Sequence, residues 1–383
     1  MSVQNHTHGL SGSAALRKRS HRAAAAVLTA VALGFTVLFL PSCEKLDLQN
    51  RYEKVCTEYF DTVTYLTVYA SGERQAEEYF SVMTGVLADY DRLCNRYTAP
   101  EDAPDGVAAV NAAAGKTVSV DPRLIDVLKF AEKMHTESSE KLNVLLGPVT
   151  SLWHDCREAA AEDPSSAYLP SEDVLKKAGE HISIGSLLID REKSTVTLTD
   201  PEASIDLGAI AKGYAVEQAA QAAEEAGICA IINAGGNVRA AGWKYNDGKS
   251  GWVIGIADPF EPSKIVTAVS VPKGTACVTS GDYQRYFEVD GQRYSHLIDP
   301  LTLCPADRFS SVTVIVGQEG AASNAGASAV ADALATALFL LPKESGAELA
   351  GRYGAAVLWI TPDGERMTCG GFESFENDAK NAG

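Results

Sequence analysis

Residues 204–242 constrain the fold more than any other stretch, because they predict several elements in a fixed order: SIDLGAIAKGYAVEQAAQAAEEAGICAIINAGGNVRAAG. The pattern indicates a strand, a glycine turn, a helix, a second strand and a second glycine turn. Gly227 is typical of a helix C-terminus. Apolar residues recur at helical spacing and predict a buried face made of Ala215, Val216, Ala219, Ala220, Ala223 and Ala226.

Strand patterns and helical patterns are mixed along the rest of the chain. The alternating Thr, Val and Tyr residues of 60–70 predict a strand, and 74–97 has the spacing of a helix. Residues 98–121 are rich in turn formers, so we expect a surface loop there. Short runs between 252 and 316 predict an antiparallel meander, and a strongly apolar helix follows at 327–341. This mixture predicts an α+β fold.

The first 43 residues differ from the rest of the chain. Four basic residues between Arg17 and Arg22 precede an apolar run and the sequence LPSC, which ends at Cys43. This is the layout of an export signal with a box like that of bacterial lipoproteins, although a permanent N-terminal anchor is an alternative. Either arrangement predicts a body outside the cytoplasm and tied to the cell membrane. We expect a signal peptide at 1–43, a tether at 44–54, the main domain at 55–375 and a C-terminal tail at 376–383.

The charge and the cysteines exclude some classes of ligand. With 33 basic and 50 acidic residues, the net charge is −17, which argues against nucleic acid as a partner. An anionic ligand would need a local site made by a metal, a lysine or backbone amides. The eight cysteines are scattered without a CxxC motif, so a zinc site is not expected. Their pattern leaves limited disulfide use and an anaerobic habitat both open.

Three short motifs carry candidate chemistry. In ADALAT, Asp332 and Thr336 lie four residues apart and share a helix face, and two hard oxygen ligands suit Mg²⁺ better than Zn²⁺. The alternative is a core helix in which Thr336 bonds to the main chain and Asp332 caps a helix or faces water.

In GAIAKG, small residues, a helix N-terminus and Lys212 could approach a phosphate. The alternative is that this segment simply connects a strand to a helix. In RYSHLIDPLTLCPA, His296 could be a base on a turn stiffened by Asp299 and Pro300, or a structural histidine.

Seven motifs in a fixed order resemble the ApbE family, the FAD:protein FMN transferases once called thiamine biosynthesis lipoproteins. They cover roughly residues 55–370 and read FDTVTYLTVY, LNVLLGPVTSLW, IDLGAIAKGYAVE, INAGGNVRAAG, WVIGIADP, TSGDYQRYFEVDGQRYSHLIDPLTLCPA and ADALATALF. The resemblance implies a T-fold-like α+β architecture with antiparallel sheets and packed helices. It also implies Mg²⁺-dependent transfer of FMN from FAD to a threonine hydroxyl of a target protein, with release of AMP. Subunits of membrane electron-transport complexes are the implied targets.

The resemblance also assigns roles to individual residues. It implies that His296 is the base, and that the metal ligands are Asp332, Thr336 and the main-chain carbonyl of Ala209. It places the following residues around FAD: Phe60, Tyr97, Leu145, Leu146, Gly147, Asp206, Lys212 and Ile298. A lipoprotein that binds FAD without transferring FMN, or hydrolyses FAD to FMN and AMP, is the alternative function.

Two positions depart from the family pattern. Asn143 stands where an aspartate is common before the GP turn, and Leu303 replaces a glycine that is usual in the segment after His296. These departures bear on the shape of the flavin pocket and of the loop that carries the base.

Overall fold

The computed structural model describes residues 50–245, 248–318 and 325–381. Their strands, in chain order, are β1 (Asn50–Cys56), β2 (Thr64–Ala70), β3 (Thr117–Ser119), β4 (Leu187–Asp190), β5 (Thr195–Leu198), β6 (Ala230–Ala234), β7 (Asn237–Ala241), β8 (Trp252–Ala257), β9 (Ile265–Val271), β10 (Ala276–Gly281), β11 (Tyr286–Val289), β12 (Gln292–Ser295), β13 (Ile298–Asp299), β14 (Cys304–Pro305), β15 (Ser311–Val316), β16 (Ala356–Ile360) and β17 (Arg366–Cys369). The α-helices are α1 (Glu73–Cys94), α2 (Val107–Ala112), α3 (Pro122–Glu137), α4 (Gly147–Glu162), α5 (Glu172–Gly179), α6 (Ala211–Glu225), α7 (Gly326–Leu340), α8 (Lys343–Arg352) and α9 (Phe372–Asn381).

An antiparallel sheet of eight strands forms the centre of the structure. Its order is β1-β2-β6-β7-β10-β15-β16-β17, so strands that are distant in sequence lie side by side. In β2 and β6, Leu66 faces Ile232, and both side chains are fully buried. The remaining strands form the small sheet β3-β5-β4 and the pairs β8-β9, β11-β12 and β13-β14.

Helices α1, α6 and α7 cover one face of the large sheet. Helix α6 buries the alanine face that its sequence predicts, except for Ala226, which is exposed just beyond the end of the helix. Small side chains let α6 approach α7 closely, and α7 is buried on almost every side. The other face of the sheet packs on the β8-β9 pair and on Phe372 of α9. The α+β prediction is therefore confirmed.

The predicted meander between 252 and 316 is wrong. Within the described residues, strands β8 and β9 pair only with each other, with Trp252 opposite Val271, whereas β10 enters the large sheet between β7 and β15. The intervening β11-β12 and β13-β14 hairpins stand apart from that sheet. Each run is a strand as its local pattern indicates, but partner choice depends on contacts that are distant in sequence.

The predicted boundaries of the domain and of one loop also need correction. Residues 50–54 of the expected tether belong to β1, an edge strand whose charged residues made it resemble a linker. Residues 376–381 of the expected tail continue α9, which Phe372 anchors in the core. The expected loop at 98–121 contains α2 and β3, because Val107 and Val110 are buried.

Two predictions concern the membrane and the cysteines. The predicted signal peptide at 1–43 lies outside the described residues. Within residues 50–245, 248–318 and 325–381, no helix is long and apolar enough to cross a membrane. No disulfide bond joins the described cysteines to one another, and five of them are buried.

Candidate functional site

The glycine turn between residues 206 and 213 leads into α6. The Asp206 carboxylate accepts a hydrogen bond from the Gly208 amide at 2.9 Å, which closes the turn. The Leu207 carbonyl oxygen accepts from the amides of Ile210 and Ala211 at 3.0 and 2.8 Å and starts the helix. These short-range bonds explain why the turn could be predicted from its sequence.

Gly213 and Asp332 mark the closest approach of α6 and α7. A Cβ atom added at Gly213 would lie 2.3 Å from the Asp332 Cβ and 2.6 Å from the Ser328 carbonyl oxygen. The Gly213 amide donates to Asp332 Oδ2 at 2.8 Å. In a regular helix this amide would donate to the carbonyl of Ala209, four residues back. That carbonyl accepts no hydrogen bond from any described residue.

Asp332, Thr336 and Ala209 carry oxygen donors of the kind that a hard cation takes. The Asp332 side chain is almost fully buried, and Thr336 lies one helical turn further on and is half-buried. The Thr336 hydroxyl forms no hydrogen bond within the described residues, so the alternative of a bond to the main chain does not hold. The alternative that Asp332 caps a helix holds in part, since it binds an amide of α6. A buried carboxylate, a free hydroxyl and an orphan carbonyl are donors that suit Mg²⁺.

Lys212 completes this cluster. Its ammonium nitrogen lies 4.0 Å from Asp332 Oδ1, and the side chain is about one-quarter exposed. No group of three or more His, Cys, Asp and Glu side chains in the described parts of the chain is arranged to hold a metal. A metal at this site would therefore need the mixed oxygen donors rather than a cluster of conventional ligands.

His296 is held by the main chain of Arg285. The Arg285 carbonyl oxygen lies 3.0 Å from the His296 amide nitrogen and 3.2 Å from its ring Nδ1. Because a carbonyl only accepts, Nδ1 carries the proton and Nε2 is left as the acceptor. Burial, followed by the positive charges of Arg285 and Lys212, lowers the pKa of His296 to about 3. The imidazole is therefore neutral near pH 7, and its surroundings disfavour the protonated form.

Asp299 stiffens the turn that follows His296. Its carboxylate binds the Lys141 ammonium at 2.6 and 2.8 Å and accepts from the Leu301 amide at 2.9 Å. Leu303 adopts a left-handed conformation with φ of 61°, which explains why glycine is usual there. Its carbonyl oxygen accepts from the Trp153 indole at 2.8 Å, so the turn is tied to α4.

The Asp206 carboxylate is engaged with protein groups on both oxygens. Oδ2 accepts from Arg96 at 2.9 Å and from Thr150 at 2.6 Å, while Oδ1 holds the Gly208 amide. Burial by itself would raise the pKa of Asp206. The Arg96 charge and these hydrogen bonds outweigh that effect and hold the pKa below its usual value. Asp206 thus shapes the turn, and its predicted contact with a nucleotide stays a prediction.

The segment that leads into α4 packs its leucine side chains into the core. Leu145 and Leu146 are buried in apolar clusters. A Cβ at Gly147 would lie 2.2 Å from the Ser204 hydroxyl, so only glycine fits there. Asn143 accepts from the Leu145 amide at 2.9 Å and donates to the Ile182 carbonyl at 2.8 Å. An ionised aspartate could not make that donation.

Comparison with known proteins identifies the family to which the chain is similar. The model of the ApbE family matches residues 60–359. The chain belongs to the ApbE family. An FAD:protein FMN transferase of Rhodobacter capsulatus is 33% identical over 309 residues, which cover 80% of this chain and 54% of that protein. The chain therefore spans about half the length of this relative. A Treponema pallidum protein of the same name is 34% identical and covers 67% of this chain, with 71% of its own length matched.

Solved structures show the same architecture. The ApbE protein of Thermotoga maritima has a TM-score of 0.74 and 26% identity, over 85% of this chain and 99% of that one. The flavin transferase ApbE of Vibrio cholerae has a TM-score of 0.68 and 24% identity, with the same coverage of both chains. The resemblance and the fold class predicted from the seven motifs are thus confirmed.

The remaining residues assigned by ApbE resemblance differ in their surroundings. Ile298 is buried beside Leu146, so its side chain belongs to the core, and only its main chain could meet a ligand. Tyr97 is 63% exposed and lies with its ring 5.0 Å from that of His154. Phe60 is half-buried in a turn with left-handed φ values, and its amide donates to Asp91 at 2.8 Å. Their contacts with FAD stay predictions.

Sequence reasoning missed the arginines of this ApbE site. Arg96 binds Asp206 and the Gly147 carbonyl, and Arg285 and Arg157 both contribute to the lowered pKa of His296. Burial and the nearby Arg285 charge likewise lower the pKa of Arg157. A set of cations around one histidine, in a chain of net charge −17, indicates a site for an anion. The arginines within the motifs CNRY and YQRYF were the available signal.

Proposed function

We propose that this chain is an FAD:protein FMN transferase that uses Mg²⁺ to transfer FMN from FAD to a threonine hydroxyl and releases AMP. The observation that carries the proposal is the buried Asp332 carboxylate, which takes the Gly213 amide at 2.8 Å, leaves the Ala209 carbonyl without a donor among the described residues, and has the Lys212 ammonium at 4.0 Å. Such a site offers oxygen donors to a cation and an ammonium to a phosphate. The names of its ApbE relatives support flavin transfer to protein as the reaction.

His296 supplies the base in this proposal. A threonine hydroxyl is a weak nucleophile, so a neutral imidazole within hydrogen-bond reach would accept its proton at Nε2. The hydroxyl oxygen then forms a bond to the FMN phosphorus. The bond from that phosphorus to the bridging oxygen breaks, and AMP leaves with the electron pair.

The cations of the site orient the diphosphate. Lys212 lies 4.0 Å from Asp332, the proposed metal ligand, and in this proposal its ammonium binds a phosphate oxygen. Bound Mg²⁺ would neutralise the diphosphate and hold it for in-line displacement. Arg285 and Arg157 add positive charge near His296, and so keep the base unprotonated.

The test is an assay of the full chain with FAD, MgCl₂ and a threonine-containing acceptor peptide. We expect a covalent FMN adduct by mass spectrometry and one AMP per adduct. His296→Ala should still bind FAD but lose transfer. Failure to consume FAD at any Mg²⁺ concentration contradicts the proposal, and free FMN with unmodified peptide assigns FAD hydrolysis instead.

The proposal extends to the location and the partners of the protein. A lipid on Cys43 would tie the enzyme to the membrane outside the cytoplasm, with subunits of membrane electron-transport complexes as its acceptors. The basic, apolar and LPSC segments of the leader support this assignment. Mass spectrometry of the mature N-terminus tests it. A mature chain that begins before Cys43, or that begins at Cys43 without a lipid, would contradict lipidation.

A further inference from the structure

Arg285 contacts two segments that the proposed reaction must bring together. Its carbonyl oxygen holds both the amide and the ring Nδ1 of His296, at 3.0 and 3.2 Å. Its guanidinium donates to the carbonyl oxygens of Phe60, at 3.4 Å, and Asp61. The same group lies 3.3 Å from the Asp61 carboxylate. One residue therefore spans from the histidine to a turn 225 positions earlier in the chain.

The turn that Arg285 grips has an unusual backbone. Phe60 and Asp61 have φ values of 54° and 48°, and neither is glycine. Residues other than glycine adopt this region only when surrounding contacts hold them there. Asp91 Oδ1 accepts from the Phe60 amide at 2.8 Å, so Asp91 holds the amide side of the turn while Arg285 holds its carbonyls.

We infer that Arg285 is a positioning residue, which sets the placement of His296 relative to the Phe60–Asp61 turn. Its main-chain carbonyl holds His296, and its guanidinium binds the two carbonyls of the turn in a contact that we call the clamp. This inference rests on the proposed function, in which Phe60 packs on FAD and His296 receives the proton of the acceptor. Misplacing a reacting group by about 1 Å can slow catalysis by about 10²-fold, so such a clamp has a measurable effect.

The charge of Arg285 gives a second way to detect this role. The charged groups that act on His296 are Arg285, Lys212 and Arg157, all positive, and burial acts in the same direction. Removing the Arg285 charge should raise the pKa of His296. Arg285→Lys keeps the charge, but lysine is shorter than arginine, and its ammonium does not reach the position of Nη2, the nitrogen that donates to both carbonyls. The two substitutions therefore separate the charge from the clamp.

The experiment compares Arg285→Met, Arg285→Lys and the control Arg293→Met in the full chain. Arg293 lies on the same hairpin, but its guanidinium stacks 4.1 Å from the Tyr286 ring centroid and faces Asp282 at 4.0 Å. We expect kcat for flavin transfer to fall about 10²-fold in both Arg285 variants and to stay unchanged in Arg293→Met. NMR titration of the His296 ring should show a raised pKa in Arg285→Met and a low pKa in Arg285→Lys.

The outcomes distinguish this inference from the proposed function. Wild-type kcat in Arg285→Met, or an equal loss in Arg293→Met, overturns the positioning role. If Arg285→Met is unfolded by circular dichroism, Arg285→Lys decides, because a fully active lysine variant also overturns the clamp. If the wild-type protein transfers no flavin, the proposed function fails, while the NMR signals of His296 in the same variants still test the link to Arg285. Unmoved signals and an unmoved pKa in Arg285→Met then refute it.

Discussion

Gly213→Ala should disable the site with only a moderate effect on stability. The added Cβ would lie 2.3 Å from the Asp332 Cβ, whereas carbon atoms pack at about 3.5 Å, so α6 and α7 must separate by about 1 Å. Overpacking of this kind costs about 1–3 kcal/mol, and alanine recovers about 1 kcal/mol of helix propensity. We therefore expect a net loss of at most roughly 2 kcal/mol in the free energy of unfolding.

The activity should fall much further than the stability. Separation of the helices moves Asp332, a proposed metal ligand, away from the Gly213 amide that it binds. A shift of about 1 Å corresponds to a loss of about 10²-fold in kcat/KM. The assay is the rate of FMN transfer at increasing MgCl₂, together with urea unfolding of the same preparations.

Gly85→Ala is the matched control for this substitution. Gly85 also lies within a helix, α1, but a Cβ added there has no atom within 4 Å. It should stabilise the protein by about 0.5–1 kcal/mol and leave transfer unchanged. Our account of the α6–α7 contact is refuted if Gly213→Ala retains wild-type transfer, or if Gly85→Ala lowers transfer as much.

Three further predictions follow from buried ionisable groups. Asp332→Asn should keep most of the stability, because its amide oxygen can still accept from Gly213, but should lose Mg²⁺ affinity by calorimetry; unchanged affinity would remove Asp332 from the metal site. Below pH 6.5 the unfolded state binds a proton at His296 that the folded state, with its pKa of about 3, does not. Wild type should therefore lose up to about 1.4 kcal/mol per pH unit against His296→Gln in urea unfolding from pH 6.5 to 4.5, and a constant difference would contradict the lowered pKa. Arg239→Met should cost about 3–5 kcal/mol, since it leaves Glu217 buried without its partner at 3.0 Å, and a second substitution Glu217→Leu should restore much of this.

Local patterns predicted the parts of the site that depend on neighbours in sequence. The turn before α6, its alanine face and the shared helix face of Asp332 and Thr336 all follow from spacing within a few residues. The bond between Asp332 and Gly213 joins positions 119 apart and leaves the Ala209 carbonyl free. No spacing rule could predict that contact, although it is the contact that holds the Asp332 carboxylate against the main chain of α6.

The missed arginines have the same cause. Arg96 meets Asp206 across 110 positions, and the acceptors of the Arg285 guanidinium include main-chain carbonyls that have no signature in a sequence. The meander failed in a comparable way, because the strand character of β8 is local whereas its exclusion from the large sheet is decided by long-range packing.

The position of β1 limits where the proposed enzyme could work. Because this strand starts at Asn50, only six residues separate it from Cys43. A fully stretched chain over that distance reaches about 25 Å. A lipid on Cys43 would thus hold the sheet edge close to the headgroups, and only acceptors that present their threonine at a similar height above the bilayer would be within range.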